Sequence, residues 1–168
     1  MTLRTSNQLF DAYFTADSMA EVFCDQGRLQ GMLDFEAGLA RAEAQVGLIP
    51  QAAVAPIAQA CLASLYDVDA LGVAIATAGN SAIPLVKALG KLIAADDAGA
   101  ERYVHLGATS QDVMDTGLVL QLRRAVTLIE TDLARLGDIL AAQAQRYAEV
   151  PMAGRTWLQH ATPVTLGM

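Results

Sequence analysis

Two clusters of polar residues carry side chains suited to chemistry, and the first is the segment from His105 to Asp112. Thr109 and Ser110 precede Asp112, where a helix is predicted to begin. At a helix N-terminus, unpaired backbone N–H groups and the positive end of the helix dipole favour a bound anion. The two hydroxyls add donors, and His105 lies one short loop upstream. The segment therefore predicts an anion site, although T-x-x-D is also an ordinary capping motif.

The second cluster lies in the segment GRTWLQHATP, near the carboxyl end of the chain. Arg155 can bind a carboxylate through two parallel hydrogen bonds, and the imidazole of His160 can exchange a proton near neutral pH. Thr156 adds a hydroxyl. Thr162 followed by Pro163 predicts an N-cap and the first position of a helix, so the cluster is expected in the loop before it. A single histidine is more often structural than catalytic, which leaves both roles open.

A long helix is predicted between the two clusters. From Asp112 to Glu149 there is no proline, and apolar residues recur at intervals of three and four over about five heptads. At 1.5 Å per residue this helix would be about 57 Å long, which is typical of a helical bundle or an oligomer core. Close helix contacts or a bend are expected at Gly117 and Gly137. An exposed coiled coil is the alternative.

The rest of the chain is predicted to form shorter helices. Ser18 and Glu21 have the spacing of a capping box, so a helix should start at Ser18. A second helical run, from about 25 to 46, is followed by Gly47 and Pro50 as stop signals. Further alanine-rich helices are predicted at about 52–63, 68–78 and 83–94, with a loop at 96–100.

Composition narrows the class of protein. Of the 168 residues, 54% are hydrophobic but only 5% are aromatic, which favours helices and one sizeable core. A net charge of −7 gives no long-range attraction to nucleic acid or anionic lipid, so local groups must hold any anionic ligand. No stretch has the length and apolarity of a membrane span, and the first residues lack a secretory signal. A cytoplasmic location is therefore expected.

The two cysteines give no sign of a metal site. Cys24 and Cys61 form no CxxC pair, and neither has a histidine at metal-ligand spacing. We expect both to be buried free thiols in a reducing compartment, and we predict no metal binding.

The two clusters occur in an order that resembles the fumarase/aspartase superfamily. HLGATSQDVMDTGLVLQLRRA is similar to the first signature region of that family, where a Thr-Ser pair and an Asp open a long bundle helix. GRTWLQHATPVTLG is similar to the second region, and the segment from QLFDAYF to VGLIP resembles the start of its carboxymuconate cycloisomerases and adenylosuccinate lyases. The resemblance implies an all-α fold, with an amino-terminal helical domain at 1–110 and the first part of a truncated central bundle at 111–168.

Within the superfamily, the second cluster favours the carboxymuconate cycloisomerase branch. Lyases of the family typically have a histidine directly after G-x-T, whereas this chain has Trp157 there and His160 three residues later. TAGNSAIPLVKAL also resembles the cycloisomerase branch. The resemblance implies lactonisation of a small tricarboxylate in protocatechuate catabolism, with no metal or organic cofactor. It assigns His160 to catalysis and these residues to substrate binding: Thr109, Ser110, Arg155, Thr156, His105, Asn80 and Lys87.

A third signature region of the family, a mobile G-S-S-x-M-x-x-K-x-N loop that supplies the catalytic base, has no counterpart in this chain. We therefore expect an inactive fragment of a protein more than twice as long. In the family, three subunits of a homotetramer build each active site, so self-association is expected. Two alternatives stay open: an adenylosuccinate-lyase-like enzyme, against which Trp157 argues, and a non-catalytic helical oligomerisation module, which the missing third region keeps open.

Overall fold

A computed structural model describes residues 13–96 and 99–168 and confirms the predicted helical fold. The chain divides into two compact units, Met1–Ala125 and Val126–Met168. The described residues form six α-helices: α1 Asp17–Phe23, α2 Asp25–Gln45, α3 Val54–Ala60, α4 Val68–Ala78, α5 Ala82–Asp96 and α6 Ser110–Arg146. Short 3-10 turns occur at Gln51–Ala53, Ala63–Leu65 and Glu101–Tyr103. In the part of the chain that is described, no helix is both long and apolar enough to cross a membrane.

The core of the first unit is built around α2. Its buried face carries apolar and small residues spaced three and four apart, including Leu33, Ala37 and Ala40. Small side chains at such positions let partner helices approach closely. The largest fully buried apolar side chains come from four different helices: Leu33, Ile57, Leu85, Leu89, Ile93 and Val113.

Two glycines meet where α2 packs against α6. A Cβ atom added at Gly31 would lie 2.7 Å from the carbonyl oxygen of Gly117. A Cβ added at Gly117 would lie 3.0 Å from the backbone nitrogen of Met32. Neither position accepts a larger side chain unless the backbone moves. The close helix contact predicted at Gly117 is therefore confirmed, whereas Gly137 has no described atom within 4 Å of such a Cβ.

Several helix boundaries differ from the predictions. The predicted helix α1 is confirmed and begins at Asp17, one residue before Ser18. Its cap position is Ala16, whose carbonyl accepts the first backbone hydrogen bonds, so the prediction of Ser18 as the cap is wrong. α3 ends at Ala60, earlier than predicted. α5 continues to Asp96, and the predicted loop after it lies partly outside the described residues.

The long helix α6 is confirmed with slightly shifted ends. It begins at Ser110, two residues earlier than predicted, and ends at Arg146 rather than Glu149. The chain turns directly after it, because the N–H of Val150 donates to the carbonyl of Tyr147 at 3.2 Å. The helix has 37 residues, which corresponds to about 56 Å at 1.5 Å per residue.

The two cysteines have different surroundings. Cys61 is buried as predicted, and burial raises the pKa of its thiol to about 12. Cys24 is exposed, so the prediction of a buried thiol is wrong there. Its Sγ accepts a hydrogen bond from the N–H of Gly27 at 3.3 Å and so caps the start of α2.

The second unit contains a β-hairpin where the sequence predicted a loop followed by a helix. Strand β1, Pro151–Thr156, pairs in antiparallel fashion with β2, Gln159–Thr165. The register shifts between Ala153 and Arg155, at Gly154, where an added Cβ would lie 2.5 Å from the carbonyl oxygen of Thr162. This close approach explains the glycine.

The predicted helix start at Thr162 and Pro163 is wrong. Both residues lie in β2, and Pro163 is paired with Ala153 of β1. A proline cannot donate to a sheet ladder, but both strands of a two-stranded sheet are edge strands, where a missing N–H is tolerated. The Thr-Pro dipeptide therefore fits the strand as well as it would fit a helix start.

Candidate active site

The start of α6 is held by reciprocal hydrogen bonds between Thr109 and Asp112. The backbone N–H and the hydroxyl of Thr109 donate to Oδ2 of Asp112 at 2.7 and 2.8 Å, and the N–H of Asp112 lies 3.4 Å from the Thr109 hydroxyl oxygen. The backbone and hydroxyl hydrogen bonds from Thr109 lower the pKa of Asp112. Thr109 is thus the predicted cap. The neighbouring Ser110 is the first helical residue and is half-buried.

His105 lies in the loop before α6 and contacts a buried carboxylate. Its Nδ1 is 2.7 Å from Oε1 of Glu36 on α2, whose side chain is 1% exposed, whereas that of His105 is 17% exposed. Two residues of this loop, His105 and Gly107, have left-handed backbone conformations with φ of 58° and 72°. Burial raises the pKa of Glu36, and the hydrogen bond to His105 opposes that rise.

The sequence did not predict a role for Glu36. It is 69 positions from His105, so no local motif joins the two. A signal was nevertheless present, because Glu36 falls between Leu33 and Ala37 on the buried face of α2. A carboxylate on an apolar helix face requires a polar partner.

Asn80 has a clear structural role in the first unit. Its Oδ1 accepts hydrogen bonds from the N–H groups of Ala82 at 2.8 Å and Ile83 at 3.1 Å, so it caps the start of α5. Gly79, with φ of 65°, ends the preceding helix α4. This capping uses the amide oxygen, and substrate binding through Asn80 stays a prediction.

Lys87 lines a groove of the first unit. It is exposed on α5 and lines a shallow, mainly apolar groove between α4 and α5, together with Lys91 and Tyr66. The residues that line this groove include none of the predicted residues His105, Thr109 and Ser110. The groove therefore does not join Lys87 to the α6 start.

The hairpin of the second unit places Arg155 next to His160. The two residues are direct partners across the antiparallel strands, as are Thr156 and Gln159. Opposite residues of such a pair have Cβ atoms about 5 Å apart and lie on one face of the hairpin. The sequence predicted both residues in one loop. In the structure they are paired across two strands, so the guanidinium of Arg155 and the imidazole of His160 are neighbours. Both side chains are exposed.

The hairpin turn consists of Trp157 and Leu158. Both have positive φ, at 47° and 62°, and their exposed fractions are 95% and 92%. Two successive residues with positive φ are typical of a type I′ turn, which usually contains Asn and Gly. A bulky pair here is unfavourable for the isolated chain by an amount on the order of 1 kcal/mol per residue.

Six of the predicted site residues thus form two groups with complementary chemistry, to which Asn80 and Lys87 do not belong. In the first unit, the α6 start offers backbone N–H groups, the Ser110 hydroxyl and the imidazole of His105, which suit an anion. In the second unit, the face of the hairpin carries the guanidinium of Arg155 beside the imidazole of His160. Over residues 13–96 and 99–168, no three His, Cys, Asp or Glu side chains come together as possible metal ligands.

Comparison with known proteins shows which family the chain belongs to. The model of a lyase family matches residues 12–168. The chain is 72% identical to 3-carboxy-cis,cis-muconate cycloisomerase from Pseudomonas aeruginosa over 163 residues, which are 97% of this chain and 36% of that protein. It is 42% identical to the protein of the same name from Acinetobacter baylyi, over 96% of this chain and 36% of that protein. The chain therefore spans little more than a third of the length of these relatives.

Solved structures give the same result. The crystal structure of 3-carboxy-cis,cis-muconate lactonizing enzyme from Pseudomonas putida matches with a TM-score of 0.92 and 71% identity, covering 96% of this chain and 37% of that one. A fumarate lyase from Mesorhizobium sp. matches with a TM-score of 0.81 and 37% identity, over 99% of this chain and 37% of that one. The resemblance predicted from the two sequence motifs is confirmed, and the chain belongs to the lyase family that includes the 3-carboxy-cis,cis-muconate cycloisomerases.

Proposed function

We propose that this chain is part of a 3-carboxy-cis,cis-muconate cycloisomerase, which forms 4-carboxymuconolactone in the cytoplasmic breakdown of protocatechuate. The observation that carries the proposal is the 72% identity over 97% of the chain to the Pseudomonas aeruginosa cycloisomerase. Relatives with other names are less similar: a nitrosuccinate lyase is 41% identical and an adenylosuccinate lyase 33% identical.

The proposed reaction is an intramolecular addition. A carboxylate oxygen of the substrate attacks one carbon of a double bond and forms the C–O bond of the lactone ring. The electron pair of the double bond moves to the neighbouring carbon, where a carboxyl group stabilises it as an enolate-like intermediate. A proton donated by the enzyme completes the addition, and solvent restores that proton. Nothing is oxidised or reduced, and no metal or organic cofactor is required.

The two groups of residues suit the two needs of this reaction. A substrate with three carboxylates needs local positive charge, because the chain as a whole carries a net charge of −7. Arg155, the helix N-terminus at Ser110 and His105 can supply it, with hydroxyl groups as further donors. His160, beside Arg155 on the hairpin, is proposed to handle the proton. Thr156 is proposed to bind substrate, and Asn80 and Lys87 are retained as weaker substrate-binding candidates.

Self-association is part of the proposal. In the second unit, α6 exposes leucines at intervals of three and four, with exposed fractions of 60% at Leu133, 50% at Leu136 and 58% at Leu140. An apolar helix face of this kind is typical of a surface that another helix covers. We propose that copies of the protein cover it, as a homotetramer in which subunits share active sites.

The proposal is tested with the full-length protein and two substrates. The disappearance of 3-carboxy-cis,cis-muconate is followed by its absorbance, and the product is identified by NMR as the lactone. Adenylosuccinate is assayed in parallel. Turnover of the muconate alone is expected. Cleavage of adenylosuccinate without lactonisation would favour the lyase alternative, and turnover of neither by a folded, assembled protein would favour the oligomerisation module.

A further inference from the structure

A buried acid lies behind one of the two histidines of the chain. Oε1 of Glu36 is 2.7 Å from Nδ1 of His105, a distance typical of a charge-assisted hydrogen bond. The carboxylate is almost completely buried, whereas the side chain of His105 is 17% exposed. Because Nδ1 faces this buried group, Nε2 is the ring nitrogen that is left for a ligand.

Burying the carboxylate of Glu36 costs free energy unless that group has a polar partner. It occupies the buried face of α2 among apolar residues, where desolvation of a carboxylate is unfavourable. His105 is its hydrogen-bond partner, and it comes from the loop that leads into α6. The contact therefore joins the middle of α2 to the segment immediately before the Thr109 cap.

The backbone of His105 also requires support. A φ of 58° is uncommon for a residue other than glycine and persists when its surroundings hold it. The hydrogen bond to Glu36 restrains the side chain, and the reciprocal bonds of Thr109 and Asp112 fix the chain four residues later. The loop between these two points is therefore held at both ends.

We infer that Glu36 is a positioning residue: it accepts the Nδ1 proton of His105 and thereby presents the Nε2–H of the doubly protonated ring to a carboxylate group of the substrate. When Glu36 is ionised it only accepts hydrogen bonds, so Nδ1 carries a proton, and Nε2 must carry one as well to donate to a substrate carboxylate. The same arrangement orients catalytic and metal-bound histidines in other proteins. This inference rests on the proposed function for the identity of the ligand, but the geometry of the pair does not depend on it.

The protonation of the ring is tested directly by NMR. ¹⁵N-histidine labelling of the full-length protein gives its imidazole signals, and a His105→Gln variant, which lacks one set of them, assigns the signals of His105. The nitrogen signals of His105 should show a protonated Nδ1. A bare Nδ1, with the proton on Nε2 alone, would mean that a protonated Glu36 donates to the ring, and it would overturn the inference. This measurement needs no change at Glu36.

The functional effect is tested by Glu36→Gln in the full-length protein. A glutamine side chain can accept from or donate to Nδ1, so it no longer fixes the proton there. We expect kcat/KM for 3-carboxy-cis,cis-muconate to fall about 10- to 100-fold, mainly through a higher KM. Glu43→Gln is the matched control, because Glu43 is buried on the same helix but makes no hydrogen bond to His105 among the described residues. It should leave the Nδ1 proton in place and change KM little.

The outcomes separate this inference from the proposed function. If the wild-type protein does not turn over the muconate but Nδ1 of His105 is protonated, the proposed function fails and the geometry of the pair stands. If the wild type is active and Glu36→Gln changes neither the His105 signals nor KM, the positioning role is wrong and the proposed function stands. Equal losses in Glu36→Gln and Glu43→Gln would indicate a general effect of buried charge and would also overturn it.

Discussion

The glycine contact between α2 and α6 gives a sharp test of the packing that holds the first unit together. Gly31→Ala adds one methyl group, whose carbon would lie 2.7 Å from the carbonyl oxygen and 3.2 Å from Cα of Gly117. Both atoms belong to the backbone, so no side-chain rotation relieves the contact, and one helix must move. Gly38→Ala on the same helix is the matched control, because nothing described lies within 4 Å of its added Cβ.

Two opposing effects determine how much each substitution changes the free energy of unfolding. Replacing glycine by alanine inside a helix stabilises it by about 0.5–1 kcal/mol, and this term is common to both variants. Overpacking against a rigid neighbour costs about 1–3 kcal/mol, and this term applies to Gly31→Ala alone. The control should therefore be slightly more stable than the wild type. The free energy of unfolding of Gly31→Ala should lie about 1–3 kcal/mol below that of Gly38→Ala.

Urea unfolding followed by circular dichroism measures this difference. With a slope of about 2 kcal/mol per molar urea, the midpoints of the two variants should differ by about 0.5–1.5 M. Coincident midpoints, or a Gly31→Ala variant more stable than the wild type, would refute the close crossing at Gly117. A loss of stability in Gly38→Ala would instead show that its surroundings are not open.

Three further predictions follow from buried groups and exposed surfaces. Burial raises the pKa of Glu43 above 4.5, so the folded state binds its proton more tightly than the unfolded state, and stability is lost as pH rises above about that value. Glu43→Gln should therefore stabilise the protein by about 1 kcal/mol at pH 8 and by less at pH 4.5. Thermal unfolding at the two pH values measures this, and an equal gain at both would contradict the raised pKa of Glu43. At pH 8 a thiol reagent should modify exposed Cys24 quickly and buried Cys61 only on unfolding, whereas two equally fast thiols would contradict the burial. Leu133→Gln with Leu140→Gln should weaken self-association in sedimentation at about tens of micromolar, and a wild type that is already monomeric there would exclude the proposed interface.

The sequence was sufficient to predict the helices that have a strong apolar period. α6 was predicted to within three residues at each end, because its leucine spacing is continuous and a cap precedes it. α2 was predicted equally well, because Leu33, Ala37 and Ala40 follow the helical period. Gly47, with φ of 78°, lies just beyond its end. The start of α1 was predicted one residue late, because Ala16 occupies the cap position and has no side chain that could signal it.

The hairpin and the buried acid could not be predicted in the same way. Trp157 and Leu158 form a turn that normally contains residues tolerant of positive φ, so the usual hairpin signal was absent. Thr162 with Pro163 gave a false helix start for the same segment. The contact between Glu36 and His105 joins residues 69 positions apart, which only the tertiary structure brings together. Sequence motifs selected the candidate site residues, and the structure supplied their neighbours.

The most direct test of the proposed function is the rate of lactonisation by the full-length protein and its His160→Ala variant, measured side by side with Gln159→Ala as a hairpin control. The wild type should convert 3-carboxy-cis,cis-muconate, and the control, whose side chain lies next along β2, should retain most of that rate. His160→Ala should lose about 10²- to 10⁴-fold in kcat, as expected when a proton-handling group is removed. Near-normal turnover by a well-folded His160→Ala protein would return His160 to a structural role, and absence of lactonisation by the wild type would contradict the account as a whole.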